Sequence, residues 1–532
     1  MPKKYIIGTR GSLLALTQAG QTKKKLEELT GDHFDLKIIT TKGDANTKVP
    51  LWQLEGQNFF TKELDEALKN KEVDLVIHSH KDLGSLRPEE LILPAVTERK
   101  YAHDILLVKK ETVTQWESLQ FFKVGTSSPR RMTNINSFLK EFLPLKNTAL
   151  KISSEPLRGN VNTRLEKLQK GEFQGIVLAL AGLERLALGD ESRQELKELL
   201  KGLTFMVLPQ SAFPSAASQG ALAIECLKER NDQDELLNKL KKIHDQKTWE
   251  EVRRERLAFN NYGGGCHLAV GIHVRKAPGG YLHIHRGYKE DQGNIDTVKF
   301  ERESSLPSLT QKSPVFVGLP LNKGLTQKKW NTLKSEIFFD EIIQKKPYNL
   351  NEVLKGHFYV TSDHCLEALK NVSQAKTLWA SGTKTMQSLA KRGLWVHGSS
   401  DSFGERELLS LKESKTLQLL MNTEESNQQG AWFVFTNDTA ESNIGKTLVT
   451  YTRTTTNPTQ VFAEKIKQTQ VFYWTSFFQY QTFKEKFPSI ENKIHCCGLG
   501  KTYDHFKKTK TMVTPFAHMD EFRSWINSSN PS

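Results

Sequence analysis

The arginines of the first 310 residues stand where they could bind an anionic ligand. Of the 20 arginines in the chain, 16 lie in residues 1–310. Six of them stand beside turns that follow an expected strand: Arg10, Arg130, Arg131, Arg158, Arg164 and Arg185. Residues after the carboxyl ends of strands converge on a cleft in open α/β sheets, and a guanidinium grips a carboxylate or phosphate with a two-pronged fork. The pattern therefore predicts a cleft for a polyanion, although a single surface arginine is usually only a solvated charge.

The string "HSHKDL" brings an acid together with several bases. His78, Ser79, His80, Lys81 and Asp82 end an apolar strand, so they are delivered to one edge of the expected sheet. An acid and bases within reach of each other can move a proton to or from a bound substrate. We therefore expect a general acid/base locus at this edge.

The cysteines indicate a reducing compartment and no metal site. There are five, and no two form a CxxC pair: Cys226, Cys266, Cys365, Cys496 and Cys497. Structural zinc sites and disulfide frameworks show characteristic cysteine spacings, which are missing here. Any functional cysteine must act alone.

The elements that would position these residues form three units before residue 310. Short strands alternate with amphipathic helices, which is typical of an open α/β sheet. In the first unit we expect strands at 5–8, 36–40, 74–78, 91–96 and 105–108, with helices at 13–29 and 61–69. The second unit has strands at 123–125, 150–152 and 175–179. The third is a smaller α+β piece with a helix at 248–260, glycines at 263–265, and strands at 268–274 and 281–285.

Beyond a Ser/Pro-rich linker at 304–313, the chain contains an approximate internal repeat. The first copy reads "FYVTSDHCLEAL" and then "LWASGTKTMQSLAKRG", and the second reads "FYWTSFFQYQTF" and then "IHCCGLGKTYDHFKK". In each copy one strand ends in Thr-Ser (Thr361-Ser362, Thr475-Ser476) and another ends in a glycine turn that closes on Lys-Thr (Lys384-Thr385, Lys501-Thr502). Such turns place backbone N–H groups at a helix N-terminus, where an anion can bind. Simple helix capping is the alternative, but two pairs in matching order favour a shared cleft.

The composition is that of a globular, basic, multidomain protein. The chain has 532 residues, with 75 Lys plus Arg against 61 Asp plus Glu and a net charge of +14. Its 37% hydrophobic and 26% charged residues exclude a disordered or collagen-like chain. No apolar run approaches the roughly 18 to 20 residues that cross a bilayer, and the N-terminus lacks the apolar core of a secretory signal. We expect a cytoplasmic protein that is not embedded in a membrane.

The strings of the first part occur in the order found in porphobilinogen deaminase, also called hydroxymethylbilane synthase. They are "GTRGSLLALTQA", "TKGD", "FFTKELDEAL", "DLVIHSHKDL", "VGTSSPRR", "LRGNVNTRLEKL", "VLALAGLERL", "SQGALAIE" and "GGGCHLAVG". Residues 5–300 therefore resemble that family. The resemblance implies two lobes built like a type II periplasmic binding protein and a small α+β domain with a cysteine on a loop. The implied ranges are 1–104 plus 205–227 for domain 1, 105–204 for domain 2 and 228–303 for domain 3.

The resemblance also implies the reaction. Four porphobilinogen units are condensed head to tail with loss of ammonia, and water then releases a linear tetrapyrrole. The chain grows on a dipyrromethane cofactor held through a thioether by the loop cysteine, which corresponds to Cys266. Every ring carries two carboxylates, and bidentate pairing with these gives the arginines a physical role.

The family's functional residues match positions throughout the first part. Asp82 is the implied catalytic acid, with Lys81 beside it. The residues implied to hold the cofactor are Cys266, Arg10, Ser12, Lys62, Ser79, Lys81, Asp82, Thr126, Ser127, Ser128, Arg130, Arg131, Arg158 and Gly159. Those implied to bind substrate are Arg10, Arg130, Arg158, Arg164, Arg185, Asn160 and Gln219. Two positions depart from the pattern: Gln57 replaces a usual cleft lysine, and Pro129 replaces a common leucine at a helix start, where proline is tolerated.

Residues 314–532 resemble uroporphyrinogen-III synthase. The strings are "YVTSDHCLEAL", "SGTKTMQSLAKRG", "LVTYTRTTTNP", "YWTSFFQYQTF" and "GLGKTYDHF". The family has two α/β lobes, and it cyclises the linear tetrapyrrole while inverting its last ring. Tyr451 is the implied catalytic residue, and Thr361, Ser362, Thr475, Ser476 and Thr502 are implied to bind substrate. The arginine usual in the first strand is missing, and only Lys323 is offered there.

The leading hypothesis is a bifunctional enzyme that converts porphobilinogen to uroporphyrinogen III through hydroxymethylbilane. One alternative is a monofunctional deaminase with a degenerate C-terminal domain. Another is a binding protein for an anionic ligand or nucleic acid, but its basic residues are not interleaved with aromatics as single-strand binders require. We expect a monomer that binds neither nucleic acid nor membrane. Each half is long enough to bury its own core, so we expect each to work alone.

Overall fold

The computed structural model describes residues 2–41, 61–84, 86–145, 149–232, 234–265, 267–309, 313–320, 330, 335–348, 350, 354–371, 374–424 and 430–529. Within these residues the chain forms five β-sheets with helices packed on them, so it is an α/β multidomain protein. No helix in this part of the chain is long and apolar enough to cross a bilayer.

The strands and helices are numbered in chain order. The strands are β1 (Lys4–Thr9), β2 (His33–Ile38), β3 (Leu75–Ser79), β4 (Leu91–Val96), β5 (Asp104–Lys109), β6 (Phe121–Thr126), β7 (Lys151–Pro156), β8 (Gly175–Ala179), β9 (Leu203–Val207), β10 (Leu222–Leu227), β11 (Ala269–Ala277), β12 (Gly280–Lys289), β13 (Gly293–Arg302), β14 (Val315–Pro320), β15 (Ile337–Asp340), β16 (Ile343–Pro347), β17 (Lys355–Val360), β18 (Gln374–Ala380), β19 (Gly398–Ser399), β20 (Trp432–Asn437), β21 (Lys446–Thr455), β22 (Val471–Trp474), β23 (Ile494–Gly498) and β24 (Thr514–Phe516). The helices are α1 (Leu13–Thr30), α2 (Lys62–Lys69), α3 (Lys110–Thr114), α4 (Pro129–Phe138), α5 (Val161–Gln169), α6 (Leu180–Ala187), α7 (Asp190–Leu200), α8 (Glu235–Leu240), α9 (Gln246–Asn261), α10 (Thr383–Lys391), α11 (Glu405–Glu413), α12 (Lys415–Met421), α13 (Gln460–Gln468), α14 (Phe477–Lys486), α15 (Lys501–Lys508) and α16 (Met519–Ser529).

Two five-stranded sheets make up the first two units. Their strand orders are β2-β1-β3-β10-β4 and β7-β6-β8-β5-β9. The chain crosses between them twice, through residues 97–103 and 208–221, which we call the first and second crossover. In the first sheet β10 is antiparallel to β3, and in the second β5 is antiparallel to β8. The remaining central strands are parallel, so their carboxyl ends lie at one edge of each sheet.

The third unit is an antiparallel meander, β11-β12-β13, covered by α9. Helix α9 starts where the Asp245 side chain accepts a hydrogen bond from the Thr248 N–H at 2.7 Å. On its inner face Glu255 is fully buried. A buried carboxylate must be paired and hydrogen-bonded, so this residue marks a point where several segments meet.

The remaining two sheets belong to the second half of the chain. One has the order β15-β14-β22-β23-β24 and the other β16-β21-β20-β17-β18-β19. In each sheet, strands from distant parts of the chain lie side by side, as β14 does beside β22 and β17 beside β20. The approximate repeat falls on both: β17 and β18 carry the first copy, and β22 and β23 carry the second.

The two halves of the chain share their hydrophobic cores. One cluster of buried side chains joins Leu106 and Val124 to Phe358 and Val360, and a second joins Ile105 to Trp379. The edge strands β9 and β19 of the two halves lie next to each other. The Val207 N–H at the end of β9 donates to the carbonyl of His397, just before β19, at 2.8 Å. An exposed strand edge is a liability that a covering segment removes. This differs from the expectation that each half buries a core of its own.

The expected elements were found with shifted ends. The second strand is His33–Ile38 rather than 36–40, because its bounds follow parallel pairing with β1 from Lys4 to Thr9 and not the apolar letters. After Thr361-Ser362 the chain forms a 3₁₀ helix, Asp363–Asn371.

Candidate active sites

The predicted cleft residues of the first part follow the carboxyl ends of parallel strands. Arg10 and Ser12 follow β1, and Ser79 ends β3 ahead of the 3₁₀ turn His80–Asp82. In the second sheet the predicted residues follow three neighbouring strands, β6, β7 and β8. They are Thr126, Ser127, Ser128, Arg158, Gly159, Asn160, Arg164 and Arg185. The strand topology therefore brings these residues to two sheet edges.

Several of these hydroxyl and amide side chains also fix the helices that follow the strands. Ser12, Ser128 and Asn160 are N-caps of α1, α4 and α5, and each accepts a hydrogen bond from a backbone N–H. Ser79 donates to the Gln18 side-chain carbonyl at 3.1 Å. These three side chains therefore cap helices, and capping leaves the neighbouring backbone N–H groups aimed at the sheet edge.

A buried aspartate that the sequence did not single out organises two of the arginines. Asp104 is 1% exposed, and it accepts from Arg130 at 2.8 Å and from Arg131 at 2.7 Å. The Gln219 amide donates to the same carboxylate at 2.9 Å. Burial would raise the pKa of Asp104, but the charges of Arg130 and Arg131 hold it well below its usual range. Asp104 thereby fixes both arginines in place, and the three side chains together carry one net positive charge.

The cationic groups of the two sheets interact with each other. Burial lowers the pKa of Lys81, and although Asp82 opposes this, the charge of Arg131 lowers it further. Burial likewise lowers the pKa of Arg164 to about 10, assisted by Arg131 and Arg158. Since Lys81 belongs to the first sheet and these arginines to the second, the two edges face one cationic space.

Arg164 and Arg185 are desolvated and bonded to backbone carbonyls. Arg164 Nε donates to the Gly159 carbonyl at 2.8 Å, and an Arg185 guanidinium N–H donates to the Gly220 carbonyl at 2.7 Å. Burial lowers the pKa of Arg185 to about 10. In the described part of the chain neither guanidinium pairs with a carboxylate. A buried cation without an anion is costly, so the arrangement suits an anionic ligand.

The remaining predicted residues of the first part are more exposed or lie outside the described residues. Asp82 and Lys62 are exposed. Cys266, Gln57 and Lys323 lie outside the described residues. The other four cysteines are buried and free, and burial raises the pKa of Cys226 and Cys497 to about 12, which suppresses their thiolates.

One buried cluster has the composition of a metal site. Ligand atoms of Asp65, His78 and Glu225 lie within 4.8 Å of one another. Arg87 donates to Glu225 at 2.8 Å and 2.7 Å and also to Asp65. The guanidinium therefore already pairs with both carboxylates.

A cavity of about 540 Å³ lies between the two sheets of the second half. Residues after strands and at helix starts of both sheets line it, including Thr361, Tyr451, Ser476 and Thr502. The shared cleft that the repeat predicts is thus formed by part of each copy. Ser362 and Thr475 are not among the lining residues: the Ser362 hydroxyl accepts from the His364 N–H at 3.3 Å, and Thr475 donates to the Gly318 carbonyl at 2.7 Å.

Two side chains of β21 line the cavity, Tyr451 and Arg453. The Tyr451 hydroxyl accepts from the Asn437 amide at 3.5 Å, and burial raises its pKa. Two residues on, the Arg453 guanidinium lies 3.8 Å from the ring centroid of Phe478, on a helix of the other sheet. Alternate residues of a strand share a face, so the spacing Tyr-x-Arg could have pointed to Arg453.

Comparison with known proteins identifies the first half. A family model described as porphobilinogen deaminase, dipyromethane cofactor binding domain, matches residues 5–235. The porphobilinogen deaminase of Streptococcus sanguinis is 35% identical over 276 residues, which is 52% of this chain and 83% of that protein. The enzyme of Halalkalibacterium halodurans is 38% identical over 269 residues, covering 50% of this chain and 78% of that protein.

Likeness to solved structures is weak. A periplasmic binding protein of Salmonella typhimurium with high arginine specificity shares 10% identity over 48% of this chain and 98% of its own, with a TM-score of 0.22. A score this low supports no inference about fold. The curated relatives, in contrast, are matched over more than two thirds of their length at over 30% identity. On this ground the chain belongs to the porphobilinogen deaminase family.

Proposed function

We propose that this chain is a bifunctional enzyme, a hydroxymethylbilane synthase joined to a uroporphyrinogen-III synthase. Membership of the family gives it porphobilinogen deaminase activity in tetrapyrrole biosynthesis. We assign the second activity to the cavity between the two sheets of the second half. The observation that carries this proposal is that each half has a cleft with at least one buried arginine. Such clefts suit substrates that bear two carboxylates on every ring.

The deaminase cleft fits the cofactor of the family. The matching family model is that of a dipyrromethane-binding domain, so the deaminase uses this cofactor. The desolvated guanidiniums of Arg164 and Arg185, bonded only to carbonyls among the described residues, fit a group rich in carboxylates. We assign its attachment to Cys266, through a thioether, and its carboxylates to the arginines and capping hydroxyls of the sheet edges. When bound, it supplies the pyrrole carbon to which the first substrate ring is joined.

We assign the proton transfer to Asp82. Each condensation breaks the aminomethyl C–N bond of one porphobilinogen, forms a C–C bond and releases ammonia. Asp82 stands at the sheet edge with Lys81 next to it, so its carboxyl can reach a substrate amine in the same space. Lys81 and Arg131 then offset the negative charge of the substrate carboxylates and hold the ring in place.

The domain ranges of the resemblance suit the sheets except at 204/205, a boundary that divides β9, a strand of the second sheet. Two five-stranded sheets joined by two crossovers suit a pair of lobes like those of a type II periplasmic binding protein, spanning 1–104 plus 205–227 and 105–204. The meander β11-β12-β13 with α9 suits domain 3 at 228–303, and the glycines that precede Cys266 suit its loop.

In the second half we propose that the cavity holds hydroxymethylbilane folded for ring closure. The Arg453 side chain is 8% exposed and lies 3.6 Å from the Asp438 carboxylate, and we assign to it a contact with a substrate carboxylate in place of the missing arginine of the first strand. Tyr451, beside it, is placed to orient the terminal ring. Lys501, which pairs with Glu405 at 3.3 Å, lines the same cavity from the facing sheet.

The test is to incubate the purified full chain with porphobilinogen and to separate the oxidised porphyrin isomers. The type III isomer as main product supports both activities. The type I isomer alone, which forms from hydroxymethylbilane without an enzyme, would leave a monofunctional deaminase. Absence of any tetrapyrrole would contradict the proposal altogether.

A further inference from the structure

Contacts between the two halves of the chain converge on helix α6, which carries Arg185. Glu184, the neighbour of Arg185, is 4% exposed and faces the second half. Its carboxylate accepts from the Ser414 hydroxyl at 2.6 Å and from the N–H groups of Lys415 and Thr416 at 3.0 Å and 3.1 Å. Hydrogen bonds to an ionised acceptor are stronger than neutral ones. The first turn of α12 therefore holds α6 from outside the deaminase domains.

The other side of α6 reaches the segment that joins the deaminase domains. The Arg185 guanidinium donates to the Gly220 carbonyl in the second crossover at 2.7 Å, and the Arg185 carbonyl accepts from Gln21 at 2.9 Å. Gly220 has a φ of 92°, and a Cβ there would lie 2.4 Å from the Lys100 carbonyl, so only glycine fits where the two crossovers touch. The position of α6 thus sets where the Arg185 side chain meets the cleft.

The second half also holds both crossovers directly. The Tyr101 hydroxyl in the first crossover donates to the Ser410 carbonyl at 2.8 Å. Asp401 accepts from the backbone N–H of Ser211 in the second crossover at 2.8 Å and from the Ser211 hydroxyl. The angle between the two deaminase domains depends on these two segments, so the second half contacts the hinge as well as α6.

We propose that the C-terminal half is a working part of the deaminase, in which Ser414 and the start of α12 position Arg185 through Glu184. Ser414 and Glu184 are positioning residues, because neither reaches the cleft. The inference rests on the proposed role of Arg185 in binding substrate carboxylates. It predicts that a substitution at Ser414, more than 200 residues from Arg185 in the sequence, alters the affinity of the deaminase for porphobilinogen.

The test compares Ser414→Ala, Ser414→Thr and Ser410→Ala in the full chain, by steady-state release of ammonia from porphobilinogen. For Ser414→Ala we expect an apparent KM raised about three- to tenfold, the range for loss of one ordinary hydrogen bond, with kcat changed less than about twofold. Ser414→Thr keeps the hydroxyl and should restore the wild-type KM. Ser410→Ala is the matched control, because Ser410 lies at the same interface and only its backbone carbonyl is used.

Two results would overturn the inference. One is a folded Ser414→Ala protein with wild-type KM, and the other is a fall in kcat alone, which loss of overall stability would explain. Should Ser414→Ala fail to fold, Glu184→Gln keeps the size and one accepting oxygen and carries the same expectation. An inactive wild-type protein would instead contradict the proposed deaminase, which separates the two failures.

Discussion

Among single residues, Asp82 is the proposed proton donor of the deaminase, and it is exposed at a sheet edge beside Lys81. Asp82 ends a short 3₁₀ turn, and Lys81 next to it has a pKa lowered by burial. Replacement Asp82→Asn keeps the shape but removes the proton. We expect turnover to fall by about 10² to 10⁴-fold, the usual contribution of general acid catalysis, with the fold intact. Ammonia release and a circular dichroism spectrum measure this, and near-normal turnover would show that another group is the acid.

Cys266 is the proposed attachment point of dipyrromethane. The other cysteines are buried, and their raised thiol pKa makes them poor nucleophiles. Intact-mass measurement of the purified protein should show an adduct that is missing from Cys266→Ser. Cys226→Ser, at a buried strand position, is the control and should keep the adduct. An unmodified Cys266 thiol in active enzyme would refute the assignment.

Local strings predicted the candidate residues, but not their partners. The arginines of "SSPRR" could be picked out, whereas Asp104, which pairs with both, stands more than 20 residues earlier in an apolar strand. Its role arises only when β5 lies beside β8 in the sheet. The sequence around Glu184 gives no local signal for its role either, since its partners come from the other half of the chain.

At the element scale, helix α9 joins the third unit to both crossovers through one carboxylate. Glu255 accepts from the Arg99 guanidinium at 2.8 Å and 3.0 Å, from the Ser218 N–H at 2.7 Å and from the Val274 N–H at 2.8 Å. Burial would raise the pKa of Glu255, but the Arg99 charge and the His273 hydrogen bond hold it at about 2. The meander that follows Cys266 is thereby fixed relative to the deaminase domains.

This carboxylate should make stability depend on pH. Its pKa is about 2 in the folded chain and about 4.3 in an unfolded one, so its contribution is present above pH 4.3 and is lost as the pH falls toward 2. Glu255→Gln should lower the free energy of unfolding at pH 7 by about 3 to 5 kcal/mol, as when one partner of a buried pair is removed. Denaturant unfolding at pH 7 and at about pH 2 measures this. Glu250→Gln on the same helix, a partly exposed ion pair, should cost less than about 1 kcal/mol, and equal losses for both variants would contradict the account.

At the scale of the whole molecule, the shared cores change what a truncation should do. The Ser/Pro-rich composition of residues 304–313 predicts a linker, and the sequence therefore suggests two separable halves. Packing between halves is not visible in composition: Phe205 and Trp379 lie far apart in the chain, yet their ring centroids are 5.9 Å apart.

We expect a fragment of residues 1–310 to form the type I isomer but to melt below the full chain and to associate, because its domain 2 exposes apolar surface. Thermal unfolding and sedimentation test this, and a monomeric fragment with an unchanged melting temperature would contradict it.

Whether one chain carries both activities can be measured by assaying ring closure separately from condensation. Asp82→Asn in the full chain should leave the cavity of the second half unaltered, since Asp82 is not among its lining residues. Freshly prepared hydroxymethylbilane is given to this variant, and the porphyrin isomers are separated after oxidation. We predict that the type III isomer is the main product and that it forms at the wild-type rate. Its yield should fall in a second variant that adds Tyr451→Phe. Type I product alone, at the rate seen without enzyme, would contradict it.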